Sequence, residues 1–112
     1  MPIRVLPEPA VGVVAKGTQT NVSDNTITTV ATMTANGARN VTRIKFSGEG
    51  YARWTLVVDA VTEETVTNGQ YSGEFNFGDE GLYVAPGSVL DIKVEHFYGS
   101  ETLDFNATIY GF

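Results

Sequence analysis

Val89-Leu90-Asp91-Ile92-Lys93-Val94-Glu95-His96-Phe97-Tyr98 alternates in period two. Leu90, Ile92, Val94, His96 and Tyr98 fall on one face, and Asp91, Lys93 and Glu95 on the other. Successive side chains of a strand point to opposite sides of its sheet, so this pattern predicts a strand with one buried and one solvated face. Gly99-Ser100 then turns the chain into Leu103-Asp104-Phe105-Asn106-Ala107-Thr108-Ile109, which repeats the pattern with Leu103, Phe105, Ala107 and Ile109 inward.

The same reading extends toward the N-terminus. Residues 71–77 set Tyr71, Phe75 and Phe77 against Ser72, Glu74 and Asn76, and Leu82-Tyr83-Val84 reads as a short edge strand closed by Pro86-Gly87. Residues 51–59 place Trp54, Leu56 and Val58 inward, and a short strand near 62–67 ends at Asn68-Gly69. Residues 40–47 set Thr42, Ile44 and Phe46 against Arg43 and Lys45. Residues 26–35 place Ile27, Ala31 and Met33 inward and end at Asn36-Gly37, a tight-turn dipeptide because both residues tolerate positive φ.

Helical periodicity is almost absent. Turn signals at roughly ten-residue spacing predict an all-β fold: an antiparallel β-sandwich or jelly roll of seven or eight strands. The aromatics Trp54, Phe75, Phe77, Phe97, Phe105 and Phe112 are expected to supply much of its core.

Residues 1–20 read differently. Pro2, Pro7 and Pro9 favour an extended N-terminal arm. Val11, Val13 and Val14 suit an edge strand, and Lys16–Asn21 reads as a loop. The expected organisation is therefore an arm and edge strand over 1–20 and a sandwich domain over 21–112. The arm has two readings: it folds back on its own sheet, or it lies on a neighbour.

Composition narrows the function. The chain has 112 residues, room for one domain, and no cysteine, so disulfides and thiolate chemistry are excluded. Its net charge is −6, unevenly spread: residues 1–48 carry +3 and residues 49–112 carry −9. An acidic domain repels phosphate backbones and anionic bilayers, so neither nucleic acid nor membrane is an expected partner. No apolar run is long enough for a membrane helix, and the proline-broken N-terminus does not read as a secretory signal.

The chemistry of catalysis is sparse. His96 is the single histidine, expected as a hydrogen-bonded residue at the core edge. No nucleophile and orienting partner accompany it, and no histidine or cysteine cluster offers a transition-metal site. Asp79-Glu80-Gly81 has oxygen ligands for calcium but no repeated ligand spacing. Gly48-Glu49-Gly50 lacks the helix that a phosphate loop needs. The chain is expected to be no enzyme and to hold no cofactor. Tyr51, Tyr71, Tyr83 and Tyr110 keep a carbohydrate ligand open, although tyrosines also pair across strands for stability alone.

Three segments carry a resemblance. Gly81-Leu82-Tyr83-Val84-Ala85-Pro86-Gly87-Ser88-Val89-Leu90-Asp91-Ile92-Lys93-Val94-Glu95-His96 joins an apolar edge strand, a Pro-Gly turn and an alternating strand. Phe46 to Asp59 makes a glycine turn followed by a tryptophan strand, and Leu103 to Gly111 makes a closing strand. Together they resemble the small β-sandwich accessory proteins of tailed-phage virions. The resemblance implies a non-enzymatic capsid decoration or cement protein that binds the major capsid protein, or a tail, baseplate or fibre module. It further implies a homo-oligomer made in the host cytoplasm and lodged in the virion. A free carbohydrate-binding module is the competing reading. The arm residues Ile3, Arg4, Val5, Leu6, Pro7 and Pro9, with Arg39, Arg43 and Lys45, are the expected contacts to a partner.

Overall fold

The computed structural model describes residues 11–68, 72–99 and 101–112. Nine strands lie within them: β1 Gly12–Ser23, β2 Thr28–Thr34, β3 Arg39–Gly48, β4 Ala52–Val58, β5 Val61–Asn68, β6 Ser72–Asn76, β7 Leu82–Val84, β8 Val89–His96 and β9 Thr102–Gly111. They form a five-stranded sheet of order β1-β9-β3-β6, with β7 also paired to β3, and a four-stranded sheet of order β2-β8-β4-β5. Every pairing is antiparallel.

With β7 set aside, the pairs β1·β9, β2·β8, β3·β6 and β4·β5 are the rungs of one long hairpin. Rolling that hairpin up adds β3·β9 and β4·β8 and closes the two sheets on each other. This is the topology of a jelly roll, and it confirms the fold class.

The inward face of each strand fills the space between the sheets. β8 and β9 are buried at every second residue, as their alternation predicts. Trp54 of β4 stacks on Phe46 of β3 with ring centroids 4.5 Å apart and meets Phe105 of β9 edge-on at 5.6 Å. These aromatic contacts tie one sheet to the other, each adding about 0.5–1.5 kcal/mol beyond burial.

Several expectations are corrected. The loop expected over Lys16–Asn21 is strand: β1 runs through it and through the boundary drawn between residues 20 and 21, and it brings the count to nine. Register shifts against β9 at Val13/Ala15 and at Gln19/Val22 interrupt its alternation, which is why the sequence does not read as a strand there. At the second shift Asn21 takes φ 54°, a conformation asparagine tolerates, and its N–H donates to Asp104 Oδ1 at 2.9 Å. The extra residue turns Val22 into the core.

Ile27 is exposed rather than inward. A register shift between Thr29 and Ala31 puts Val30 and Ala31 both inside, and so reverses the parity of every residue before it. Phe97 is also exposed, because β8 ends at His96 and Phe97 continues the parity of Glu95 on the outer face. Tyr98 is half exposed, its hydroxyl accepting from the Tyr51 N–H at 2.9 Å.

The turns also sort differently. Asn36-Gly37 makes no hairpin, since β2 and β3 lie in different sheets and the bend carries the chain between them. The two-residue hairpin is Asp59-Ala60, joining Val58 to its partner Val61 with φ 49° and 67°. Those angles belong to a type I′ turn, whose twist matches paired strands. Pro86-Gly87 behaves as expected: Gly87 takes φ 85° and Ser88 N–H donates to Ala85 O at 3.0 Å.

Candidate functional site

The outer face of the five-stranded sheet gathers Lys16, Arg43 and Lys45, three of the six basic side chains of the described residues. Cross-strand register places Val13, Tyr110, Arg43 and Asn76 in one row, and Lys16, Thr108, Lys45 and Glu74 in the next. Thr18, Asn106, Ser47 and Ser72 form a third. Each row lies on one side because paired residues of neighbouring strands share a face.

Tyr110 is the centre of this face. The Arg43 guanidinium stands 5.2 Å from its ring centroid and Lys45 Nζ 5.9 Å. At exposed sites each such contact is worth about 0.5–1 kcal/mol, enough to hold the cations near the ring but not to consume their charge. Arg43 Nε also approaches Glu74 Oε2 at 3.9 Å, with both side chains roughly 40% exposed. A surface pair at that distance contributes about 1 kcal/mol or less. Within these rows three cations face one carboxylate, and Asp104 stands one step further along the outer side of β9. Beside them is a shallow depression of about 500 Å³, lined among others by Lys45, Ser47, Ser72, Glu74, Asn106 and Tyr110. Ser47 Oγ donates to Asn106 Oδ1 across it at 2.8 Å.

Of the expected contacts, Arg43 and Lys45 come together and Arg39 does not join them. A register shift between Val41 and Arg43 turns both Val41 and Thr42 inward. Arg39 consequently shares parity with buried Val41 and pairs with buried Val84 at the end of the sandwich. Ile3, Arg4, Val5, Leu6, Pro7 and Pro9 lie outside the described residues. Lys16 was missed as a member because its segment reads as a loop, and its position follows only from pairing with Thr108.

The opposite outer face, on the four-stranded sheet, mixes both signs of charge and pairs part of them. Thr32 Oγ1 donates to Asp91 Oδ1 at 2.7 Å, and Arg53 NH1 lies 3.7 Å from Glu95 Oε1. A depression of about 510 Å³ runs past Arg53, Thr55, Thr62, Thr65 and Lys93.

His96 sits between the sheets, fully buried. Its Nε2 is 2.6 Å from Val22 O, and Tyr98 N–H donates to Nδ1 at 3.3 Å. A ring that donates from Nε2 and accepts at Nδ1 is a neutral tautomer with both nitrogens engaged. The tyrosines are not brought together: Tyr83 pairs beside Asn40 at one end of the sandwich and Tyr51 lies at the other. Tyr71 lies outside the described residues. Among the described residues no group of three or more acidic or histidine side chains is spaced to hold a metal ion.

One carboxylate has a displaced titration. Asp59 Oδ1 accepts from Val89 N–H at 2.9 Å. That bond first, and the Ser88 hydroxyl second, hold its carboxyl below the ordinary 3.8. Asp59 N–H donates in turn to Val89 O, so the hairpin tip is clamped onto the start of β8.

Comparison with known proteins returns no family model, no curated relative and no solved structure that matches the chain.

Proposed function

We propose that this chain is a non-enzymatic structural protein of a tailed-phage virion. In this reading it decorates the capsid by laying the outer face of its five-stranded sheet on an acidic surface of the major capsid protein. The observation that carries the binding face is the stacking of Arg43 and Lys45 over Tyr110, with Lys16 on the same face across Thr108, on a chain whose net charge is −6. Opposite charge across an interface steers encounter and sets register, and a flat aromatic beneath the cations adds buried area once water leaves. The virion setting rests on the resemblance of the strand and turn segments. The engaged nitrogens of His96 support a passive role, since a general base needs a free lone pair facing solvent or substrate.

The mechanism is mass action. A protein that binds the assembled shell and not its separated subunits stabilises the shell in proportion to its own saturation. The test is co-sedimentation of the purified chain with phage shells at rising salt. Saturable pelleting that weakens with salt, and is lost in the Arg43→Glu/Lys45→Glu variant, is the expected result. Absence of pelleting with shells but retention on purified tails or fibres would move the same face to a tail, baseplate or fibre module. Binding to neither would remove the virion reading.

A further inference from the structure

A second surface lies at the far end of the molecule and does not depend on the shell-binding reading. Ile27, Phe97, Tyr98 and Tyr51 are 67%, 46%, 44% and 42% exposed. All four cluster where β8 ends and β2 begins. Thr28 pairs with Val94, which sets Ile27 beside Glu95, and Arg53 lies 5.3 Å over the Phe97 ring. The Tyr98 hydroxyl holds the Tyr51 backbone. Half of the exposed large apolar side chains of the described residues meet here, with Arg53 and Glu95 as the adjoining charges.

We propose that this patch receives the N-terminal segment Pro2–Pro9 of a second copy of the chain. The segment's own chemistry fits. It carries three of the four prolines together with Ile3, Val5 and Leu6. Proline-rich stretches dock on aromatic surfaces at low entropic cost because their backbone is already restricted. Its single cation and single anion, Arg4 and Glu8, complement the patch's Glu95 and Arg53.

Reach selects a second copy over the chain's own arm. Val11 enters beside Phe112 and Gly111, at the end of the sandwich opposite the patch. β1 runs from there to Ser23, and its ends pair with Gly111 and Thr102 of β9, which sets them roughly 30 Å apart. Ile3 and Leu6 stand eight and five residues before Val11 and reach at most about 29 and 18 Å from it, so an arm turning back along its own domain falls short of laying Ile3–Leu6 on the patch. In a second copy packed side by side and antiparallel, the entry end of one chain lies against the patch of the other. Two arms then exchange reciprocally and the assembly closes as a dimer.

Light scattering of the full chain tests this. The expected mass is twice 12.1 kDa at micromolar concentration. Ile3→Ser/Leu6→Ser in the arm and Ile27→Ser/Phe97→Ser in the patch should each raise the dissociation constant at least ten-fold. Both pairs should leave the circular dichroism spectrum unchanged, and the thermal midpoint too at a concentration low enough that the parent chain is itself monomeric, since Ile27 and Phe97 are exposed. A synthetic peptide of residues 1–10 in excess should dissociate the full-length dimer. Arg43→Glu/Lys45→Glu should leave the dimer intact, which separates this contact from shell binding. A monomeric full chain, or a dimer that resists the peptide or either pair of substitutions, overturns the proposal.

Discussion

The two outer faces of the sandwich are built from the same alternation and end up electrically different. On the four-stranded sheet, Thr32 meets Asp91 and Arg53 meets Glu95, so three of the charges find a neighbour on the same face. On the five-stranded sheet, Arg43 and Lys45 stand over one tyrosine, Arg43 approaches Glu74, and Lys16 joins the row of Lys45 across Thr108. A face whose charges are paired offers little net charge to steer a partner, and what docks there is held by apolar contact. A face left with surplus charge gains from an acidic one, and is screened away from it by salt. The inward faces show no such difference, because both are filled by the same apolar layer.

That shared layer gives the largest expected effect. Trp54 belongs to one sheet and packs on Phe46 and Phe105 of the other. Trp54→Ala should cost about 3–5 kcal/mol and lower the urea midpoint accordingly. If the sheets are coupled through it, hydrogen exchange should rise on β3 and β9 as well as on β4. Protection lost on β4 alone would mean that the two faces are supported independently.

Charge reversal tests the contrast itself. Arg43→Glu/Lys45→Glu should weaken binding to an acidic partner at least ten-fold, while Lys93→Glu on the opposite face should leave it within two-fold, an effect size set by about 1.4 kcal/mol per decade. Lys93→Glu should leave the unfolding free energy within about 0.5 kcal/mol, while the double reversal should lower it by about 1–3 kcal/mol, the worth of the Tyr110 contacts and the Glu74 pair. Equal losses from the two faces would erase the distinction drawn between them.

Smaller effects are expected at the hairpin that borders the neutral face. Ala60 takes φ 67°, where its Cβ crowds the backbone, at a position that favours glycine. Ala60→Gly should stabilise the domain by about 0.5–1 kcal/mol in chemical denaturation. Its neighbour Asp59 makes stability depend on pH. The folded state holds the carboxyl below 3.8, so its contribution is complete above that pH and is lost as pH falls through the lower folded value. The denaturant midpoint should therefore decline on acidification below pH 3.8, and Asp59→Asn should flatten that part of the profile.

Much of this architecture is legible in the chain. β8 and β9 can be read residue by residue, because no irregularity interrupts their period of two. β3 and β4 carry their inward residues Ile44, Phe46, Trp54 and Leu56 where alternation puts them. β1 is illegible beyond Val14, since two register shifts break the period and polar residues fill the exposed edge. Ile27 misleads for the same reason: one extra residue near Val30 moves it to the other side. Of the candidate face, Arg43 and Lys45 are visible as an outward pair. Lys16 and Tyr110 join them only through pairing with β9, more than fifty residues away from β3 in the chain.

The sequence by itself determined an all-β chain with two-faced strands, an aromatic core and a lone inward histidine. Those features depend on side-chain periodicity, which is local. Tertiary structure alone decided which strands are neighbours, where bulges reverse the parity, and which outward charges share a face. Those follow from backbone hydrogen bonds between distant segments, and a bulge is defined only by the strand it is paired against.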